Sequence, residues 1–454
     1  MGMKIDGHAL EWRGEGETLR IESWGVDSVR IRASKKMPID NTNWGLLDEH
    51  HEARDAVAVS IDENAGVATL TNGNLVVTAH MFREDNPGAG HTESLCELSF
   101  STVDGKELFH EMPQHGALKL HARSYSPADG GSQRIEALFQ ASENEHLYGM
   151  GEYQQSYMDL KGCSFELAHR NSQASIPFVV SSAGYGFLWN NPAIGTAEFS
   201  KNRTSWKAES ARQLDYWVTT GKTPAEIERH YADATGHAPV MPEWGLGFWQ
   251  CKLRYWDQNQ VLDVAREFKR RNIPIDVLVI DFFHWPHMGD FRFESEFWPD
   301  PKAMCDELHD MGIKVMVSVW PQISLKSENY ETMLENGFLV SSERGIDVAN
   351  MYQEPNQFFD ATNPQAREFV WGKCKANYAD LGVDAFWLDE AEPEYGTYDF
   401  ANYRYYSGPN VSTGNIYPRE YNRAFYEGQL EQGREGGIVN LTRCAWVLFY
   451  GVQS

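Results

Sequence analysis

After Pro242 the chain alternates strand and helix, and this pattern limits the fold more than any other feature. Ile275-Asp-Val-Leu-Val-Ile280 is a continuous apolar strand closed by Asp281. Ile313 to Trp320, the strand Ala385-Phe-Trp-Leu388 ahead of Asp389, and Gly437 to Arg443 have the same texture, and Trp244 to Trp249 reads as a shorter first strand. Between them lie amphipathic segments. Asn259–Arg271 places Val261, Val264, Ala265 and Phe268 on one helical face, and Pro301–Met311 does so with Met304, Leu308 and Met311. Asn363-Pro364 is a helix N-cap followed by a first-turn proline, that helix ends near Gly382, and Tyr417–Gln429 is a further helix. Strands that are apolar throughout belong to parallel sheets covered on both faces. Two architectures remain open, a doubly wound sheet and a (β/α)8 barrel. No glycine-rich phosphate loop follows the first strand, which weakens the nucleotide-binding version. Polar residues close the strands instead: Asp281, Gln322, Asp389 and Arg443. Barrel enzymes place their chemistry there.

Before residue 240 the texture differs. Short alternating runs such as Leu19-Arg-Ile-Glu22, Val29-Arg-Ile-Arg32 and Leu75-Val-Val-Thr78 are separated by turn residues. Period-two alternation signals antiparallel sheet. Residues 1–240 are expected to form a β-sandwich domain and 241–454 a barrel domain, with a capped helix from Thr223-Pro224 leading out of the sandwich.

Composition narrows the partners. A formal net charge of -25 disfavours nucleic acid and anionic membranes and suits a neutral small substrate. No segment approaches the roughly 18 apolar residues of a membrane span, and the first residues lack a signal core. Six scattered cysteines without a C-x-x-C pair suggest reduced thiols, a cytoplasmic location and no zinc site. Self-association stays open.

The strand ends carry the candidate chemistry. Asp389, Glu390, Glu392 and Glu394 crowd six residues, so they need cations, hydrogen bonds or sugar hydroxyls to hold them. Read bare, this is a catalytic carboxylate cluster or a solvated acidic loop. Asp281, beside Phe282, Phe283, His284 and Trp285, is a sugar-hydroxyl acceptor or a loop aspartate. Trp249 and Trp320 are stacking platforms or core, and Arg443 is a ligand for a carboxylate or a structural ion pair.

Trp387-Leu-Asp-Glu-Ala-Glu-Pro-Glu394 resembles the nucleophile signature of glycoside hydrolase family 31, tryptophan–x–aspartate–x–x–glutamate. Leu147-Tyr-Gly-Met-Gly-Glu152, Gly247-Phe-Trp-Gln250, Asp281-Phe-Phe-His-Trp285, Ser318-Val-Trp-Pro321, Phe359-Asp-Ala-Thr-Asn-Pro364 and Leu441-Thr-Arg443 resemble other family segments in order. The resemblance implies an N-terminal β-sandwich and a (β/α)8 barrel. It implies Asp389 as nucleophile, Glu392 as its supporting glutamate, and Asp281, Arg443 and Trp320 around the sugar; His284 and Trp249, read from their places at the strand ends, are counted as further substrate-binding candidates. The implied activity is retaining hydrolysis of terminal non-reducing α-linked sugars without metal or cofactor, closest to α-xylosidases. The alternatives are an α-glucosidase, an α-glucan lyase and a sugar-binding fragment. The family's acid/base aspartate sits in a tryptophan–x–glycine–aspartate segment beyond the arginine strand, and the sequence reaches Ser454 before it. The sequence therefore reads as about five β/α units of an incomplete barrel, poorly active alone.

Overall fold

The computed structural model describes residues 2–48, 57–86, 90–112, 121–345 and 348–447. The terminal Leu448–Ser454 run lies outside them. Contacts divide the chain into two compact units, Met1–Ala168 with Ser175–His237, and His169–Ala174 with Ala238–Trp446.

The first unit is built from hairpins. An eight-stranded sheet runs from Gly2–Asp6 through Ala9–Gly14, Glu17–Ser23, Ser28–Lys35, Leu214–Thr220, Tyr185–Trp189 and Ala174–Ser181 to Leu147–Glu152, and two five-stranded sheets accompany it. Alternate residues of all three meet in one core: Leu19, Ile21 and Ile31 with Val77, Leu98 and Phe100, and with Trp206, Phe187 and Tyr216. This is the β-sandwich expected from the alternating runs. Arg30 crosses the sheet to Asp215 through two hydrogen bonds of 3.0 and 2.6 Å, a paired charge where an unpaired one would be costly. Thr223 accepts from the Glu226 N–H and starts the helix Pro224–Thr235.

The second unit contains a parallel sheet of five strands in sequential order: β1 Trp249–Lys252, β2 Val277–Ile280, β3 Lys314–Val319, β4 Ala385–Leu388 and β5 Asn440–Thr442. A doubly wound sheet reverses its strand order at a switch point; this one does not, which is barrel order. Four helices follow the strands: α1 Gln258–Arg270, α2 Pro301–Asp310, α3 Pro364–Asn377 and α4 Tyr417–Glu431. The side chains of Asp257, Asp300 and Asn363 cap α1 to α3, each accepting a first-turn N–H. No described helix is long and apolar enough to cross a membrane.

The three central strands, β2 to β4, bury two faces. Leu278, Ile280, Val315, Val317, Phe386 and Leu388 pack on Val261, Leu308, Val370 and Phe425 of the helices. Val277, Val279, Met316, Ala385 and Val439 form the opposite face. Each such side chain contributes about 1.5–3 kcal/mol when buried, so a one-residue register slip gains nothing apolar and instead turns the strand-end carboxylates among the helices. Helices α3 and α4 approach closely because Gly428 leaves room for Trp371; a Cβ at 428 would lie 2.1 Å from that ring.

Three expectations shift. Trp244–Trp249 is not one strand, since Glu243–Leu246 is a 3-10 turn and β1 begins at Trp249. The reason is local: the Asp276 carboxylate accepts the Phe248 N–H at 2.9 Å, and a Cβ on Gly247 would collide with that carboxylate. The helix from Pro364 stops at Asn377, and Gly382, with φ +107°, closes the short turn that follows. Between β3 and α3 an unanticipated antiparallel sheet joins Gln322–Ser324, Glu354–Phe358 and Asn350–Tyr352.

Candidate active site

The pairing register brings the candidates together. Ile280 aligns with Val317, Val317 with Phe386, and Phe386 with Asn440. The Asp389 N–H bonds the Val319 carbonyl at 3.1 Å, and the Arg443 N–H bonds that of Leu388 at 3.2 Å, so the ladder extends past the last strand residues. Counting by two along the face of Val279, Met316, Ala385 and Val439 reaches Asp281, Trp320, Asp389 and Arg443. A strand's period of two thus delivers four predicted residues to one face at one end of the sheet.

Arg443 organises the acidic loop. Its Nε and Nη2 each donate at 2.8 Å to one oxygen of Glu392, a bidentate pair. Nη2 also donates to Glu394 at 2.7 Å, and Nη1 to Glu390 at 3.1 Å. The same Nη1 lies 3.3 Å from Asp389 Oδ1, which accepts no hydrogen bond. Glu394 takes a second donor from Asn171, at 2.9 Å. Four carboxyls therefore share one guanidinium.

Electrostatics follow from this crowding. Burial raises the Asp389 carboxyl above its usual range, against the pull of Arg443. The Trp320 indole N–H acts in the same sense as Arg443, from beyond full hydrogen-bond geometry. Burial likewise raises Glu392 despite its two bonds to Arg443. Burial pushes Glu390 up to about 8, Arg443 opposing and Glu394, Asp389 and Glu392 adding to it. Asp281 rises to about 6, first through burial and then through the negative charge of Asp389, while the Phe282 N–H lowers it. Burial alone would lower Arg443, but the bonds and charge of Glu392, with Glu390 and Asp389, hold it far above its ordinary range. A buried, hydrogen-bond-poor carboxylate beside a fixed cation is suited to attack an electrophilic carbon.

Residues 238–452 match the glycosyl hydrolases family 31 TIM-barrel domain, and residues 18–198 match the glycosyl hydrolase 31 N-terminal galactose mutarotase-like domain. A family 31 glucosidase from Pseudescherichia vulneris, ORF2, itself uncharacterized, is 46% identical over 97% of this chain and 83% of its own length. The chain belongs to glycoside hydrolase family 31. Alpha-xylosidase A of Aspergillus niger is 30% identical over 95% of this chain and 62% of its own length. Among solved structures, a family 31 α-xylosidase from a soil metagenome, complexed with xylose, superposes with a TM-score of 0.92 at 46% identity, over 99% of this chain and 67% of that one. This family 31 chain is thus a glycoside hydrolase with the family's N-terminal and TIM-barrel domains.

Not every expected sugar contact lies at the strand ends of the family 31 barrel. His284 is 1% exposed. Its Nδ1 donates to the Asp281 carbonyl at 3.0 Å and its Nε2 accepts from the Tyr378 hydroxyl at 3.0 Å, the tautomer that a carbonyl acceptor requires. Burial lowers the ring to about 4, so it stays neutral and braces Asp281 from behind. Trp249 opens β1 rather than closing it. It pairs in register with Val277, at the end of the sheet away from Asp281, and stacks on Trp244. Glu392 reaches Asp389 through Arg443, with both its oxygens on the guanidinium. Trp320 lies beside Asp389 and packs against Phe282, Trp285 and Tyr352. Sequence reasoning missed Asn171, which lies far from the barrel in the sequence, and Gln322's hydrogen-bonding contact with Glu390 at 3.5 Å.

Proposed function

We propose that this chain carries the nucleophile of a retaining α-glycosidase acting on terminal α-xylosides, with Asp389 in that role. The observation that carries this reading is the Asp389 carboxyl: buried, at a strand end, 3.3 Å from Arg443, with Oδ1 accepting no hydrogen bond. Asp389 Oδ1 forms a bond to the anomeric carbon as the glycosidic bond breaks. The leaving oxygen takes a proton from an acid, and water then releases the sugar and regenerates the carboxylate. Arg443 keeps Asp389 ionised and in place, Glu392 fixes Arg443, and Asp281 accepts sugar hydroxyls. The α-xylosidase relatives support xylose as the sugar. An α-glucoside is the second reading, favoured by the 46% identity to the family 31 glucosidase.

The test uses 5-fluoro-α-xylosyl fluoride and its glucosyl counterpart, whose fluoride leaves without a protein acid. Peptide mass spectrometry is expected to find the label on Asp389, taken up faster from the xylosyl reagent. A label on Glu390 or Glu394 overturns the assignment of the nucleophile. Faster uptake from the glucosyl reagent overturns the sugar.

A further inference from the structure

Glu390 follows the nucleophile and has no part in the chemistry above. Its backbone has φ +54°, a left-handed conformation that a glutamate keeps only where its surroundings hold it. One carboxyl oxygen lies 3.1 Å from Arg443 Nη1, the nitrogen that also faces Asp389. The other lies 3.5 Å from the Gln322 amide nitrogen. Gln322 is itself 3% exposed, and its amide oxygen is buried without a hydrogen-bond donor. A carboxylate cannot supply that donor; a carboxylic acid can, once the amide turns over to present its oxygen.

We propose that Glu390 is a positioning residue that works as an uncharged acid, bridging Gln322 to Arg443 so that Nη1 stays shared with Asp389. The Glu390 hydroxyl donates to the Gln322 amide oxygen, and its carbonyl oxygen accepts from Arg443 Nη1. Charge favours this state. Asp389, Glu392 and Glu394 already face the single guanidinium, Asp281 faces Asp389, and a fourth anion at 390 would compete with the nucleophile for the same cation. From α4, Tyr421 also faces Glu390, and its phenol is held neutral by burial. The carboxyl's rise to about 8, from burial ahead of its acidic neighbours, agrees with a neutral acid at physiological pH. Above that pH Glu390 ionises and draws Nη1 from Asp389.

The proposal rests on Asp389 being the nucleophile, and two measurements separate the claims. Infrared difference spectra between wild type and Glu390→Gln read protonation directly. A protonated-carboxyl band is expected at pH 7 in wild type only, fading with a midpoint near 8. Its absence at pH 7 overturns the proposal. In fluorosugar labelling at pH 6, Glu390→Ala is expected to slow the reaction by roughly tenfold, the scale of one charge-assisted hydrogen bond, and Glu390→Gln to restore it. Wild type should lose rate above pH 8 while Glu390→Gln does not. A Gln variant as slow as the Ala variant overturns the proposal. A wild-type protein that shows the band but takes no label at Asp389 removes the nucleophile reading, and the positioning role with it.

Discussion

Replacing Arg443 with methionine isolates the largest electrostatic element of the site. The change keeps an apolar stem and removes the cation. At 3.3 Å and an effective dielectric near 20, Coulomb's law gives about 5 kcal/mol between Arg443 and Asp389. The Arg443 side chain is 21% exposed, so water screens part of this, and about half is a reasonable survivor. The remaining roughly 2.5 kcal/mol corresponds to about a hundredfold. Without the cation, Asp389, Glu392 and Glu394 repel one another and take up protons. Asp389 is then neutral over a wider pH range, and a neutral carboxyl is a poor nucleophile. The expected outcome is a labelling rate near pH 6 lower by about two orders of magnitude, with the acidic limb of the pH–rate profile moved to higher pH. Fluorosugar inactivation followed from pH 4 to 9 measures both. An acidic limb that stays in place while the rate falls uniformly would refute the reasoning, because Arg443 would then act only as a sugar contact.

Further outcomes follow from other residues. Asp281→Asn should raise KM for a glycosyl fluoride by roughly tenfold at pH 7, the loss of charged acceptance. Because the native carboxyl titrates near 6, lower pH neutralises wild type as well, and the gap should narrow there; a pH-independent gap would count against an ionised Asp281. His284→Phe removes two hydrogen bonds and strands the Tyr378 hydroxyl, at about 2–3 kcal/mol, so calorimetry should show a melting temperature lower by several degrees. Gly428→Ala gains helix propensity of about 1 kcal/mol but presses a methyl into Trp371, which Phe386 and Phe425 back; overpacking wins, and the variant should melt lower. Stability should also decline as pH rises from about 4.5 toward 8. The fold favours protonated Glu390 and Asp281, so the unfolded chain binds fewer protons across that window.

The barrel strands were legible because apolar runs of β-branched residues have few other fates, and their closing residues marked the site. Asp281, Asp389 and Arg443 were readable for that reason. Boundaries that glycine and side-chain capping decide were less so: Gly247 against Asp276 moved the start of the first strand to Trp249, which opens β1 rather than closing it. The burial of His284 behind Asp281 was not legible, because adjacency in sequence says nothing about side-chain direction. The Gln322–Phe358 sheet was invisible because its strands are short and carry no alternation. Glu390's bridge and Asn171's bond depend on distant segments meeting, which no local pattern encodes.

Asp389 and Arg443 are the first residues past their strands, held by backbone bonds before any loop begins. The sheet therefore acts as a fixed jig, and the loops as interchangeable tooling. The segment after Gln322, from Leu325 to Tyr352, could be lengthened, shortened or exchanged without re-aiming Asp389. Directed evolution of this chain should therefore find new specificities in that insertion, and mostly lost activity in changes two residues upstream of Asp389.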